Sequence, residues 1–329
     1  MSVTIAAQSR PSDEQWDAIW SACDYATYFH SREWAEIWSA HTRGSVVPDA
    51  RLIRFSDGMQ ALLPLSLRKR HGGMIIDHFS CPGGTYGGWI AEDALRAEHA
   101  ALLCDLLLTR AGNLRWRLNP YNPLEKLPPH VARSEEDTHV LDLAPGFGAV
   151  YRRWSKGHRS AVQKATKSGV AVRLADGLDD WRSYFEVYQD SLRRWGDAAS
   201  SHYEWGLFED IFVRNSPRAR LWLAVHDAGV VAGALCFYAR RHVVYWHGAA
   251  LESALHVEPV KLLFHDVIQH ASAEGFRWFD FNPSGGHEGV RVFKRGFATD
   301  NLPCPMVSVE TRFKKLLGAA TYYAAKVMP

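Results

Sequence analysis

Long apolar runs are missing from this chain of 329 residues. No stretch reaches the roughly 18 residues that suggest a membrane-spanning helix. The first ten residues lack the basic start and apolar core of a secretory signal, so none is expected. Cysteine is scarce and unpatterned. Cys23, Cys81, Cys104, Cys236 and Cys304 are odd in number, scattered and without a C-x-x-C. That speaks against a disulfide framework or zinc ribbon and fits buried thiols in a reducing compartment, so a cytoplasmic location is expected. The 16 histidines include no H-E-x-x-H. Pairs such as His242/His247 and His265/His270 are five apart, a spacing that separates them on a strand and on a helix alike. No metal site is expected. A G-x-S-x-G elbow and a G-x-x-x-x-G-K-[ST] loop are also absent, which removes the motif-based hydrolase and phosphate-loop readings.

What is present is ample material for cores: 47% hydrophobic residues, with 13 Trp, 12 Tyr and 15 Phe. The length suggests two domains, and the order of patterns repeats. In the first half, helical periodicity at 13–23 and 31–41 precedes strands at 50–55 and 59–67 around the Asp57-Gly58 turn, then a strand at 74–79. The Gly-rich loop Pro82-Gly-Gly-Thr-Tyr-Gly-Gly88 leads to a helix over 93–110 and a strand at 113–118. In the second half, a helix over 148–167 and a strand at 170–174 precede helices at 181–195 and 203–213. Strands at 221–225, 230–238 and 243–248 follow, then a helix over 259–274 opened by Pro259 and a strand at 276–281. Each half thus reads as helices, a three-strand meander, a helix and a further strand. The expected division is 1–145, 146–311 and a C-terminal helix at 312–329. The join falls near Pro145-Gly146, after a strand at 139–143.

The net charge is only +2, but its distribution is uneven. Residues 151–175 contain Arg152, Arg153, Lys156, Arg159, Lys164, Lys167 and Arg173 and no acid, so the rest of the chain is net negative. Solvated helix faces usually mix signs. This stretch therefore points to an anionic partner such as a phosphate, a nucleotide or RNA, against the simpler reading of a basic helix neutralised by acids from elsewhere.

The most informative stretch is 275–297. An apolar strand carries one acid, Asp280, and runs into the small polar loop Asn282-Pro-Ser-Gly-Gly-His287, then into Phe293-Lys294. A strand ending at such a loop commonly presents polar groups at a sheet edge, and Lys294 could meet a phosphate or polarise a carbonyl. The plainer reading is a strand, a turn and a snorkelling lysine.

Both stretches resemble the Fem family of the GNAT superfamily. Arg159-Ser-Ala-Val-Gln-Lys164-Ala-Thr-Lys-Ser-Gly169-Val is similar to its Arg-x-x-[IV]-x-Lys-Ala-x-x-x-Gly-Val segment. Residues 275–297 resemble its Tyr/Phe-Asp-Phe-Gly strand end followed by Gly-x-x-x-Phe-Lys-x-x-Phe. Tyr28-Phe-His-Ser-Arg-Glu-Trp34 and Ala61-Leu-Leu-Pro-Leu65 extend the resemblance into the first half. It implies an α/β fold of tandem GNAT-like domains, each a mixed sheet flanked by helices, with a cleft between them. It also implies an N-acyltransferase that moves an aminoacyl or acyl group from an activated carrier to a small-molecule or peptide amine. Lys294 then matches the family's functional lysine and Phe293 its aromatic neighbour. Asp280 and His247 are candidates as base or orienter. Arg159 and Lys164, with Tyr245, His247 and Tyr86, are the expected substrate or carrier contacts.

Three departures stand out. Asn282 replaces the family's glycine, the helical-hairpin insertion of the peptidoglycan-bridge enzymes is absent, and no [QR]-x-x-G-x-[GA] follows residues 243–248. The last disfavours ordinary acetyl-CoA binding there, since no Gly-rich nest offers N–H groups to a pyrophosphate. No bound cofactor is expected; the acyl carrier is a cosubstrate, charged tRNA first and acyl-CoA second. DNA is not an expected partner, and no integral membrane segment is expected. Two alternatives stay open: an acyl-CoA enzyme with an atypical phosphate site at 83–88, and a non-catalytic binding protein for an anionic ligand.

Overall fold

The computed structural model describes residues 2–80, 82–110, 112–196, 199 and 202–311. The helix expected at 312–329 lies outside the described residues. Two compact units emerge, Met1–Glu135 with the segment from Cys304, and Glu136–Pro303.

In the first unit, Asp13–Ala22 starts where the Ser12 hydroxyl accepts from the Gln15 N–H at 3.2 Å and the Gln15 side chain accepts from the Ser12 N–H at 2.8 Å. Trp16, Ile19 and Trp20 are its buried face. Arg32–His41 is capped in turn by Ser31, which accepts from the Trp34 N–H. The strand expected over 59–67 is two strands, Gln60–Leu63 and Ser66–Arg70, in different sheets. The break falls at Pro64, which has no N–H to continue a ladder. Gln60–Leu63 pairs with Arg51–Phe55 in a three-stranded sheet, whereas Ser66–Arg70 pairs with Ile75–Phe79 in a six-stranded one. The helix expected from 93 begins at Ala97.

The second unit is a seven-stranded sheet. Ala219–His226, Gly229–Tyr238 and His242–Ala250 form the expected meander, turned at Asp227 and Ala228, both at positive φ. The helix expected over 148–167 is two, Phe147–Arg153 and Lys156–Lys167. Ser155 interrupts the pattern by capping the second through the His158 N–H. A core of Val162, Ala165, Leu263, Phe264, Val267, Phe279 and Phe281 packs Lys156–Lys167 and Pro259–Ala273 on one sheet face.

The duplication is architectural. In each unit a helix joins two parallel strands: Ile75–Phe79 to Asn113–Arg117 through Ala97–Arg110, and His242–Ala250 to Trp278–Pro283 through Pro259–Ala273. In each, an antiparallel strand fills the next position, Met306–Val309 in the first and Asp137–Asp142 in the second. The expected join at 145/146 is therefore displaced to 135/136. Asp137–Asp142 pairs with Trp278–Pro283 and Asp300–Pro303, so its ladder bonds belong to the second unit. The described tail differs too: Met306–Val309 returns to the first unit's sheet.

Candidate functional site

The parallel pair at the centre of the second unit stays together for three residues only. His242, Val243 and Val244 face Trp278, Phe279 and Asp280, and the pairing ends there. Beyond it, the first strand carries a bulge: Cys236 pairs with Tyr245 and Leu235 with His247, leaving Trp246 as the extra residue. The other strand turns at Asn282, whose φ of 63° is left-handed. Asparagine tolerates that conformation with little penalty. The substitution of asparagine for the family's glycine therefore leaves a turn at this position.

Asp280 is fully buried. Its Oδ1 accepts from the Thr138 hydroxyl and, at 2.7 Å, from the Asn282 N–H. These bonds make it an acceptor that shapes the strand-end turn. Lys294 lies on the helix Glu288–Arg295, which the sequence reading did not separate from the loop. It is 3% exposed, and its Nζ donates to the Asn282 carbonyl at 2.6 Å and to the Pro283 carbonyl at 3.2 Å. The lysine thus ties the helix to the turn where the strands have parted. Beside it, Asn282 Oδ1 and Ser284 Oγ are buried without a hydrogen-bond partner among the described residues. His139, missed in the sequence, is close enough that its imidazole is held below the ordinary value, first by burial and then by the positive charges of Lys294 and Arg295.

Phe293 leaves its helix in a different direction from Lys294. Successive helical residues diverge by about 100°, and Phe293 packs against Phe264, Phe297 and His158, with Lys261 Nζ 5.8 Å from its ring centre.

The basic segment is clamped directly to this helix. The Ser155 N–H donates to the Gly296 carbonyl at 2.9 Å, and His158 Nε2 lies 3.0 Å from the Phe293 carbonyl while its Nδ1 meets the Ser155 hydroxyl at 3.1 Å. A Cβ on Gly296 would sit 2.0 Å from the His158 ring, so the close approach requires glycine. Burial holds the His158 imidazole below its usual value. The sequence signal for this clamp was Ser155 three residues before His158 and Gly296 two after Lys294, but nothing in one dimension links them.

Of the seven cations, Arg153 meets Asp300 and Arg173 meets Asp180. Arg152, Lys156, Arg159, Lys164 and Lys167 make no ion pair among the described residues. Arg152, Lys156 and Arg159 line a depression of about 330 Å³ together with Tyr151, Ser160 and Gln163. Lys164 is exposed elsewhere on the helix and does not line it.

Tyr245 and His247 are separated by the bulge. Tyr245 packs edge-on against Phe264 at 4.8 Å. His247 is buried among Tyr184, Tyr188 and Phe208, with Nδ1 2.6 Å from the Tyr184 hydroxyl. Burial pushes its pKa down to about 3, so it is a neutral core histidine. Tyr86 belongs to the first unit and is fully buried, near Phe29 and Tyr121, leaving no surface for a carrier. The Gly-rich loop is engaged internally: the Gly88 N–H donates to Ser80 Oγ, the Gly87 N–H to the Arg117 carbonyl, and a Cβ on Gly88 would overlap the Glu125 carboxyl. Burial raises that carboxyl well above the usual range. A phosphate cradle at 83–88 is not what these contacts describe.

Among the described residues, no group of three or more His, Cys, Asp or Glu side chains is placed to hold a metal ion, and no helix is long and apolar enough to cross a membrane. The cysteines described, Cys23, Cys104, Cys236 and Cys304, are buried thiols.

Comparison with known proteins bears on the fold. Residues 152–295 match the family model of the Acetyltransferase (GNAT) domain. No curated protein matches the chain. Among solved structures, FemX is similar over 94% of this chain and 99% of that one, at 13% identity and a TM-score of 0.72. The C-terminal domain of a protein assigned as a lysylphosphatidylglycerol synthetase from Agrobacterium fabrum gives 11% identity and a TM-score of 0.59, over 94% of each chain. L-PGS from Bacillus licheniformis gives 11% and 0.57, over 92% of this chain and 94% of that one. Residues 152–295 thus carry a GNAT acetyltransferase domain, and the chain shares the fold of FemX, with tandem GNAT-like domains.

Proposed function

We propose that this acyltransferase moves an aminoacyl or acyl group from a carrier with an anionic end, charged tRNA in the first instance, to an amine on a small molecule or peptide. One observation supports the reading above others: the helix that holds Lys294 at the parted strands is the helix on which the unpaired cations are clamped. The depression at Tyr151, Arg152, Lys156 and Arg159 would receive the carrier's phosphates. Lys294 would then stand where charge develops on the carrier carbonyl oxygen.

The chemistry demands little else. An aminoacyl ester or a thioester is already activated, so a neutral amine attacks once it is positioned, and positioning alone can supply up to roughly 7–11 kcal/mol. A cation at the oxyanion adds a few kcal/mol. The tetrahedral intermediate then collapses with loss of the carrier's hydroxyl or thiol. Asp280, engaged by Thr138 and Asn282, serves to hold the turn; His247, neutral and caged, serves the core. Neither is assigned a proton-transfer role.

The test is transfer by the purified full chain, comparing a charged-tRNA pool with an acyl-CoA panel over a set of amine acceptors. Turnover from charged tRNA that falls on removing the basic side chains supports the proposal. Turnover from acyl-CoA alone would replace the carrier. No turnover from either, with saturable anion binding, would favour the binding-protein reading.

A further inference from the structure

The first unit carries a cationic recess that the acyl-transfer reading does not use. In its six-stranded sheet, Arg68 stands opposite Asp77, Asp77 opposite Asn113, and Phe79 opposite Arg115. Strand alternation therefore gathers Arg68, Arg70, Asp77, Phe79 and Arg115 on one face. The other face carries Leu114 and Trp116 into the core. Asp77 is 5% exposed and is approached by Arg70 at 2.8 Å and by Arg68 at 3.6 Å. The pairing orients both guanidiniums without satisfying them, since Nε of each is buried and has no acceptor. Arg68 also lies 5.5 Å over the Phe79 ring. Arg115 is exposed and makes no ion pair among the described residues. Between these side chains is a recess of about 230 Å³.

Buried N–H donors without an acceptor are costly and ask for an explanation. We propose that the recess binds a small oxyanion, a carboxylate or a phosphate group, held by Arg68 and Arg70 with Arg115 closing on it. The guanidinium fork matches the paired oxygens of either group. Asp77 is the positioning residue for the two inner arginines. Glu310 also lines the recess. With Asp77 it offsets much of the positive charge, which suits one small anion and not a polyanion such as nucleic acid.

The test is isothermal titration calorimetry of the full chain at low ionic strength with inorganic phosphate and, separately, with acetate. Saturable binding of either that Arg115→Ala weakens supports the site. Heat from phosphate alone identifies a phosphate group as the natural occupant, and heat from both a carboxylate-compatible site. Arg115→Ala alters an exposed side chain and should weaken binding roughly tenfold, the loss of one charge-assisted contact. Arg68→Gln should do the same, with circular dichroism checking that the variant is folded. Arg159→Ala removes a cation from the second unit's depression, so it can lower phosphate heat arising there but should leave the Arg115-dependent part of the binding unchanged. The proposal is overturned by absence of saturable binding, by wild-type affinity in Arg115→Ala, or by loss of affinity in Arg159→Ala instead.

Discussion

At the scale of single residues, Lys294 has one observed role and one proposed role, which experiment can separate. Its contacts to the Asn282 and Pro283 carbonyls make it a staple for the strand-end turn. Its place beside the parted strands makes it the proposed donor to a developing oxyanion. A staple alone would register in stability, whereas an oxyanion donor acts in the transition state. Lys294→Ala should therefore lower kcat by on the order of 10²-fold with a smaller change in KM. Lys294→Arg should restore only part, because a planar fork copies a point charge poorly. A folded Lys294→Ala protein with normal turnover would leave only the staple. The cations differ among themselves for the same local reason. Arg159 lines the depression and Lys164 does not, so Arg159→Ala should raise the carrier KM more than Lys164→Ala. Added salt should shrink the difference. Equal effects from the two would mean diffuse attraction and no built subsite.

Among the secondary-structure elements, the decisive contact is between Lys156–Lys167 and Glu288–Arg295. Ser155 is an ordinary helix cap in sequence, but in the fold its N–H also holds the Gly296 carbonyl, while His158 reaches the Phe293 carbonyl. Because a Cβ at 296 would collide with the His158 ring, Gly296→Ala should destabilise the protein by about 1–3 kcal/mol, the usual cost of overpacking. Urea unfolding measures this. Adding His158→Ala removes the obstructing ring, so the double variant should lose less than the sum of the single changes. Strict additivity would show that the two residues do not touch. Elements also show where periodicity fails as a guide. The apolar run through Leu62 and Leu65 looks like one strand, yet Pro64 divides it between two sheets. Residues 148–167 look like one helix because their apolar spacing persists across the Ser155 cap.

Across the whole molecule, acid stability should carry the mark of His247. Its folded pKa of about 3 lies below the ordinary value of 6.5, so between those limits the unfolded chain binds the extra proton. Stability contributed by keeping this ring neutral is present above about pH 6.5 and is lost as pH falls from there toward 3. At pH 5 the loss should be about 2 kcal/mol. It can be read as the difference in urea-unfolding free energy between wild type and His247→Gln at pH 7.5 and pH 5. An unchanged difference between the two pH values would show that His247 is hydrated and not caged.

The chain's own order of residues determined the elements, the repeated α/β plan and the two informative stretches, because hydrophobic period, caps and turn residues act over a few positions. The Asp57-Gly58 turn, the Ser31 cap and Pro259 at a helix start are local chemistry and read directly. Tertiary structure alone decided the rest. Asp137–Asp142 belongs to the second unit because its ladder partners lie some 140 residues downstream in Trp278–Pro283. One bulged residue, Trp246, turned Tyr245 and His247 to opposite faces, which reversed the expectation for His247. Burial, which no spacing records, left Tyr86 and His247 in cores. At the surface, the fold left Arg152, Lys156 and Arg159 without ion pairs among the described residues, on the helix pair clamped to the helix that carries Lys294. Long-range pairing and exclusion of water are collective properties, so residues that share a site needed the folded chain to find one another.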